Sequence, residues 1–241
     1  MDLADTAHHI VWDLDGTLVD SRSDLVAAVN EALRTISCPG LPASVVLSFV
    51  GDGVAALVRR AVRESHAPAA AEVPALDALE AYYFDHCLEN TMLYPGIAEV
   101  LHKLLEAGHE LSVLTNKKEV FTRRILEGLG HADTFSRVVG GDSGWGLKPN
   151  PAGLRWLLGQ SSIAPRNTWM VGDSGVDIAT AISAGTRAAA VSWGFNAPAA
   201  LRAAGASISL GSPGEILQLL GLGASATSST SPISDAKVKS I

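Results

Sequence analysis

Cysteine is nearly absent from this chain: Cys38 and Cys87 are the two among 241 residues. Two thiols make neither a disulfide framework nor a four-cysteine zinc site. Long apolar runs are missing as well. None approaches the ~18 residues of a membrane-spanning helix, although the mean hydropathy is +0.23, because scattered alanines supply the hydrophobicity. Positive charge is scarce: 18 Lys and Arg face 25 Asp and Glu, a formal net charge of -7. Nucleic acid is gripped by basic surfaces, so it is excluded as a partner, and a membrane with it. A small anionic ligand is not excluded, since a local site can oppose the net charge. The opening Met1-Asp2-Leu3-Ala4-Asp5 places acids where a secretory leader has bases. The expectation is a reduced, soluble, cytoplasmic protein whose oligomeric state the sequence leaves open.

What is present suits a sizeable core: 47% of residues are hydrophobic, which excludes global disorder. Short apolar runs recur at Ile10-Val11-Trp12, Leu111 to Leu114, Val138-Val139, Trp169-Met170-Val171 and Ala188 to Val191. Amphipathic segments separate them. Ile97, Val100, Leu101, Leu104 and Leu105 form one stripe, Val120, Phe121, Ile125, Leu126 and Leu129 a second, and Ile178, Ala181 and Ile182 a third. Strands alternating with helices of this length predict an α/β fold, a doubly wound parallel sheet with helices on both faces. One connection is too long for a single crossover. From Ser21 to Leu93 the chain reads as helices without a strand, with stripes at Leu25, Val29, Leu33 and Ile36, then Leu57, Val58, Ala61 and Val62, then Leu76, Leu79, Tyr83 and Cys87. The domains expected are a Rossmann-like core of residues 1–20 and 94–222 and a helical cap of residues 21–93, hinged at Leu18-Val19-Asp20 and Met92-Leu93-Tyr94. Residues 223–241, rich in Ser, Thr and Gly, are expected as a disordered tail.

Parallel strands share a carboxyl edge, and ligands bind just beyond it. The polar residues there are Asp13 and Asp15, Thr115-Asn116-Lys117-Lys118, Asp142 and Lys148, and Asp173 with Asp177. Crowded carboxylates repel unless a cation joins them, and their hard oxygens suit Mg²⁺. A hydroxyl, amides and a lysine opposite them match the oxygens of a phosphoryl group. A carboxylate beside that group can attack phosphorus, and a second can protonate the leaving alcohol. Each piece has a plainer reading alone: Asp173 and Asp177 as a helix cap and a solvated first-turn residue, Thr115-Asn116 as turn chemistry. Other motifs fail. The sixth position of a calcium loop opening at Asp13 would be Leu18 rather than Gly, and no phosphate-binding G-x-x-x-x-G-K-[ST] loop occurs.

Taken in order, Asp13-Leu14-Asp15-Gly16-Thr17-Leu18-Val19-Asp20-Ser21, Leu114-Thr115-Asn116-Lys117, Lys148-Pro149 and Gly172-Asp173-Ser174-x-x-Asp177 resemble the motifs of the haloacid dehalogenase-like superfamily, within it the phosphoglycolate phosphatase group. The resemblance covers residues 9–220. It implies Asp13 as nucleophile and Asp15 as general acid and base. It also implies Mg²⁺ on Asp13, the Asp15 carbonyl and Asp173, phosphate on Thr115, Asn116 and Lys148, and Asp177 supporting the lysine or the metal. The activity implied is hydrolysis of a small phosphorylated metabolite. A phosphosugar mutase and a phosphatase for a larger ester stay open. A Schiff-base hydrolase needs a cap lysine, and residues 21–93 contain none. In the cap, Phe49-Val50-Gly51-Asp52-Gly53 resembles the group's substrate turn, where amides at a helix start meet a carboxylate. Arg59 and Arg60, with Arg22 and Arg63, are candidate carboxylate partners. Trp145, before Lys148, is a candidate pocket wall.

Overall fold

The structure, a computed structural model, describes residues 6–196 and 198–223. In chain order the first elements are β1 (His9–Trp12), β2 (Val19–Asp20), α1 (Arg22–Thr35), α2 (Ala43–Leu47), α3 (Val54–Glu64), α4 (Glu72–His86) and β3 (Met92–Leu93). There follow α5 (Ile97–Glu106), β4 (Glu110–Leu114), α6 (Glu119–Gly128), β5 (Arg137–Val139) and α7 (Ala152–Gln160). The last are β6 (Thr168–Gly172), α8 (Gly175–Ala184), β7 (Arg187–Val191), α9 (Pro198–Ala203), β8 (Ile208–Leu210) and α10 (Glu215–Leu219).

Six strands form one sheet in the order β5-β4-β1-β6-β7-β8, every pair parallel. All four residues of β1 are buried, as a strand covered on both faces requires. The chain winds from β1 out to β4 and β5, then returns to β6 on the opposite flank, so the strand order reverses at β1. Such a reversal opens a crevice at the carboxyl edge. The edge strand β8 escapes the periodicity argument because it is three residues long and carries a serine in the middle. Its partner β7 holds it in register, Ala189 to Ile208.

The stripes are narrower than the apolar runs that predict them. Leu105, Val120 and Ile182 face solvent, Ile182 with 56% of its surface free. Each adjoins a buried residue in sequence and so lies about 100° around the helix from it. Hydrophobic identity alone does not tell the two apart.

The helices α1 to α4 leave and rejoin the sheet through one seam. There the chain pairs as a two-stranded antiparallel ribbon, Val19 with Leu93 and Asp20 with Met92. Residues 21–93 are therefore not wholly without strand, since Met92–Leu93 extends to meet the outgoing chain. The Tyr94 N–H donates to the Leu18 carbonyl at 3.0 Å. Beneath the ribbon, buried Asp24 accepts from the Asn90 N–H at 3.0 Å, the Thr91 N–H at 2.9 Å and the Thr91 hydroxyl at 2.7 Å. Helix α1 packs chiefly on α4, through Leu25, Val29 and Leu33 against Ala75, Leu79 and Tyr83, all in one apolar cluster that continues into the sheet. The tail expected over 223–241 lies, from residue 224 on, outside the described residues.

Candidate active site

Register brings the site together before any side chain is considered. Trp12, the last residue of β1, pairs with Val113 on one side and Val171 on the other. The chain positions just beyond, Asp13, Thr115 and Asp173, therefore emerge side by side at the reversal. After Asp13 the backbone turns sharply: the Leu18 N–H donates back to the Leu14 carbonyl at 2.9 Å, and Gly16 sits at φ +79°. A Cβ on Gly16 would fall 2.5 Å from Asp173 Oδ2. Both the left-handed backbone and the close carboxylate demand glycine there.

Asp13, Asp173 and Asp177 offer oxygens within 4.8 Å of one another, and all three are buried. Lys148, on a loop whose Lys148–Pro149 peptide is cis, reaches Asp13 Oδ1 at 2.8 Å and Asp177 Oδ1 at 2.6 Å. The other oxygen of Asp177 accepts the Ser174 N–H at 3.1 Å and its hydroxyl at 2.5 Å, while Ser174 closes a capping box on α8. Asp177 is thus no solvated first-turn residue; both its oxygens are committed, and it anchors the lysine. Asp173 Oδ2 accepts the Phe195 N–H at 2.6 Å, a contact from the loop after β7 that sequence spacing does not reveal. Asp13 Oδ2 and Asp173 Oδ1 have no hydrogen-bond partner among the described residues.

Burial drives the electrostatics. It pushes the Asp13 carboxyl up to about 6 against the pull of Lys148, with Asp177 and Asp15 adding repulsion. It pushes Asp173 up to about 7, with Asp13 and Asp177 reinforcing the shift. For Lys148, burial opposes the charged form, but Asp13 and Asp177 outweigh it and hold its pKa above the ordinary lysine range.

Thr115 and Asn116 follow β4. Both are buried, but the Asn116 side chain is spent within the protein: its amide donates to the Gly51 carbonyl at 2.8 Å and the Lys148 carbonyl at 3.1 Å, and its Oδ1 accepts the Lys148 N–H at 2.7 Å. Asn116 therefore fastens the lysine loop to the cap turn. What it leaves for a ligand is its backbone N–H, which has no partner among the described residues. Asp15 Oδ1 accepts the Ser21 hydroxyl at 2.5 Å and Lys117 Nζ at 2.9 Å. Lys117 also donates to the Tyr83 hydroxyl at 2.8 Å. Lys117 closes the motif Leu114-Thr115-Asn116-Lys117 without a role that the sequence assigns, and Tyr83 reads as part of a helix stripe.

Above these groups is a cleft of about 720 Å³, its open mouth included, whose polar floor is Asp13, Asp15, Thr115, Lys117, Lys148 and Asp173 and whose walls include Leu25, Val54, Leu57 and Phe121. Gly51 and Gly53 line it, at φ +126° and +84°, and Gly53 opens α3. The carboxylate partners expected in the cap are elsewhere. Arg60 donates to the Phe49 carbonyl at 2.9 Å and pairs with Asp52, so the two brace the glycine turn from outside. Arg59 and Arg63 are exposed and Arg22 pairs with Asp20, and none of the four arginines lines the cleft. Trp145 stacks on Trp156 at 5.4 Å, away from the cleft wall. Asp142 accepts the Glu119 N–H at 2.8 Å and caps α6.

Four carboxylates and two ammonium groups meet here, leaving negative charge in excess, and two carboxylate oxygens stand free within one buried cluster. Hard oxygen donors of this kind suit a divalent cation, and the raised proton affinities of Asp13 and Asp173, due first to burial and then to carboxylate repulsion, would be relieved by one.

The family model described as haloacid dehalogenase-like hydrolase matches residues 10–191. A phosphoglycolate phosphatase of Vibrio vulnificus is 38% identical over 192 residues, covering 78% of this chain and 84% of that protein. One from Neisseria meningitidis is 39% identical over 189 residues, 77% of this chain and 80% of that one. Among solved structures, a predicted phosphoglycolate phosphatase from Haemophilus somnus 129pt superposes with a TM-score of 0.83 at 29% identity, covering 88% of this chain and 97% of that chain.

Proposed function

The chain belongs to the haloacid dehalogenase-like hydrolases, and from that premise we propose that it is a phosphatase that hydrolyses small phosphate monoesters, phosphoglycolate foremost, through an aspartyl-phosphate. The observation that carries this reading is the single cluster of Asp13, Asp15, Lys148 and Asp173 at the reversal of the sheet. Asp13 attacks phosphorus as the ester oxygen departs. Asp15 gives that oxygen its proton, then takes one from the water that releases phosphate. Lys148, Thr115 and the Asn116 N–H hold the phosphoryl oxygens, and Asp177 keeps Lys148 in place. Asp13, the Asp15 carbonyl and Asp173 would hold Mg²⁺, which when bound supplies positive charge against the phosphoryl oxygens.

Residues 1–20 and 94–222 serve as the catalytic core, and residues 21–93 as the cap that closes the cleft from above. The same reading makes the ligand a small cytoplasmic metabolite. Among the described residues no helix is long and apolar enough to cross a membrane. The test is release of inorganic phosphate from a panel of esters, with Mg²⁺ present. Phosphoglycolate should lead the panel. An even rate across it would sink the substrate label alone, whereas conserved ester phosphate by phosphorus NMR would point to a mutase and no reaction would end the phosphatase reading.

A further inference from the structure

Asp15 is held from both ends of the helical insertion, and the link on one side runs through a lysine that the proposed reaction leaves unused. Lys117 follows β4, and only 6% of its side chain is exposed. Its ammonium group lies 2.9 Å from Asp15 Oδ1 and 2.8 Å from the hydroxyl of Tyr83, which α4 brings in from the insertion, and 4.6 Å from the centre of that ring. Phe121 packs edge-on against Tyr83 at 5.3 Å and fixes the ring. Ser21, at the start of α1, gives its hydroxyl hydrogen to the same Asp15 oxygen at 2.5 Å. Two donors thus converge on Oδ1, while Oδ2 has no hydrogen-bond partner among the described residues and Asp15 lines the cleft.

A carboxyl group turns about one bond. Pinning one oxygen from two directions fixes where the other points, and proton transfer depends steeply on that placement. We propose that Lys117, itself seated by Tyr83, is a positioning residue that aims Asp15 Oδ2 at the ester oxygen of the substrate. The inference rests on the phosphatase reading. In the step concerned, the bond between phosphorus and the ester oxygen breaks as Asp13 bonds to phosphorus. The electron pair stays on the ester oxygen, and the proton on Asp15 Oδ2 passes to it, so that alcohol and aspartyl-phosphate leave the step with charge and protons balanced. Burial disfavours the charged form of Lys117, but Asp15 and Tyr83 outweigh it and hold its pKa above the ordinary lysine range.

The role has a signature that general loss of structure lacks. An alkoxide leaving group needs the proton from Asp15; p-nitrophenolate is stable without it. With phosphoglycolate, Lys117→Met should slow turnover roughly 100-fold and change KM little. The loss on p-nitrophenyl phosphate should be at least tenfold smaller. Tyr83→Phe, which removes one oxygen and keeps the ring packed, should show the same bias more weakly, and it serves if the methionine variant does not fold. Asp15→Asn should mask Lys117→Met, the double variant being no slower on phosphoglycolate than Asp15→Asn alone. Equal losses on both esters, a KM effect with kcat unchanged, or additive losses in the double variant would overturn the role of Lys117 and leave the phosphatase reading standing. Wild-type protein that hydrolyses neither ester would overturn both.

Discussion

At the scale of single residues, the site is made as much by what glycine permits as by what the aspartates do. Gly16 combines a left-handed backbone with an Asp173 oxygen 2.5 Å from where a Cβ would sit. Gly16→Ala should therefore cost about 1–3 kcal/mol of stability in backbone strain and displace Asp173. We expect a fall in Tm together with turnover slowed roughly 100-fold or more, equivalent to about 2.7 kcal/mol, read by thermal denaturation and phosphate release. An unchanged Tm would show that the turn does not have this conformation. Residues of this kind are legible as neighbours: Asp13, Asp15, Gly16 and Asp173 follow strand ends closely, and Lys148 lies on the longer loop after β5. Lys117 is legible as part of a motif but without its partners, and Tyr83 and the Phe195 N–H are not legible as site groups at all. The contacts of Lys117 with Asp15 and Tyr83, and of Phe195 with Asp173, are tertiary pairings that chain order does not encode. Periodicity carries no information about such pairs. The arginines mislead for the opposite reason, since a charge on a helix declares its type but not its direction.

At the scale of elements, the seam between sheet and insertion is a two-residue ribbon reinforced by one buried carboxylate. Hydrophobic spacing predicts a helical stretch as far as Leu93 and misses the ribbon within it, because two paired residues on each side are too few to form a periodic signal. Asp24 does at that seam what the ribbon cannot. It ties the start of α1 to the turn at Asn90 and Thr91, and the N–H and hydroxyl of buried Thr91 lose their acceptor once it is gone. Asp24→Ala should destabilise the protein by about 3 kcal/mol, the upper range for orphaned buried donors. It should lower kcat on phosphoglycolate through the displaced insertion. Denaturant titration with kinetics on the same sample checks both. A stability loss without any effect on turnover would separate the seam from the site.

At the scale of the whole molecule, a parallel sheet that reverses at β1 gathers four carboxylates into a chain whose net charge is already -7. The fold was legible at this scale because alternation of strand and helix survives ignorance of every contact. The gathering has a consequence for stability. Asp13 and Asp173 take up protons at about 6 and about 7 in the fold, against 3.8 ordinarily. Groups raised in this way favour the folded state fully below their unfolded value, and that contribution is lost as pH rises through about 6 and 7. The metal-free protein should accordingly lose Tm between pH 5 and pH 8. Added Mg²⁺ should raise Tm most at pH 8 and least at pH 5, where protons hold the ligands. Differential scanning calorimetry at both pH values, with chelator or with Mg²⁺, decides the point. A stabilisation by Mg²⁺ that is the same at both would place its binding away from these carboxylates.

Beneath every scale is the claim that Asp13 bonds to phosphorus. It is tested most directly by quenching a single turnover of phosphoglycolate in acid, in which an acyl phosphate survives, and mapping the phosphoryl group by mass spectrometry. The account predicts a phosphorylated peptide carrying the group on Asp13, and none when Asp13→Asn is treated alike. A phosphoryl group on another residue, or normal turnover by Asp13→Asn, would contradict it.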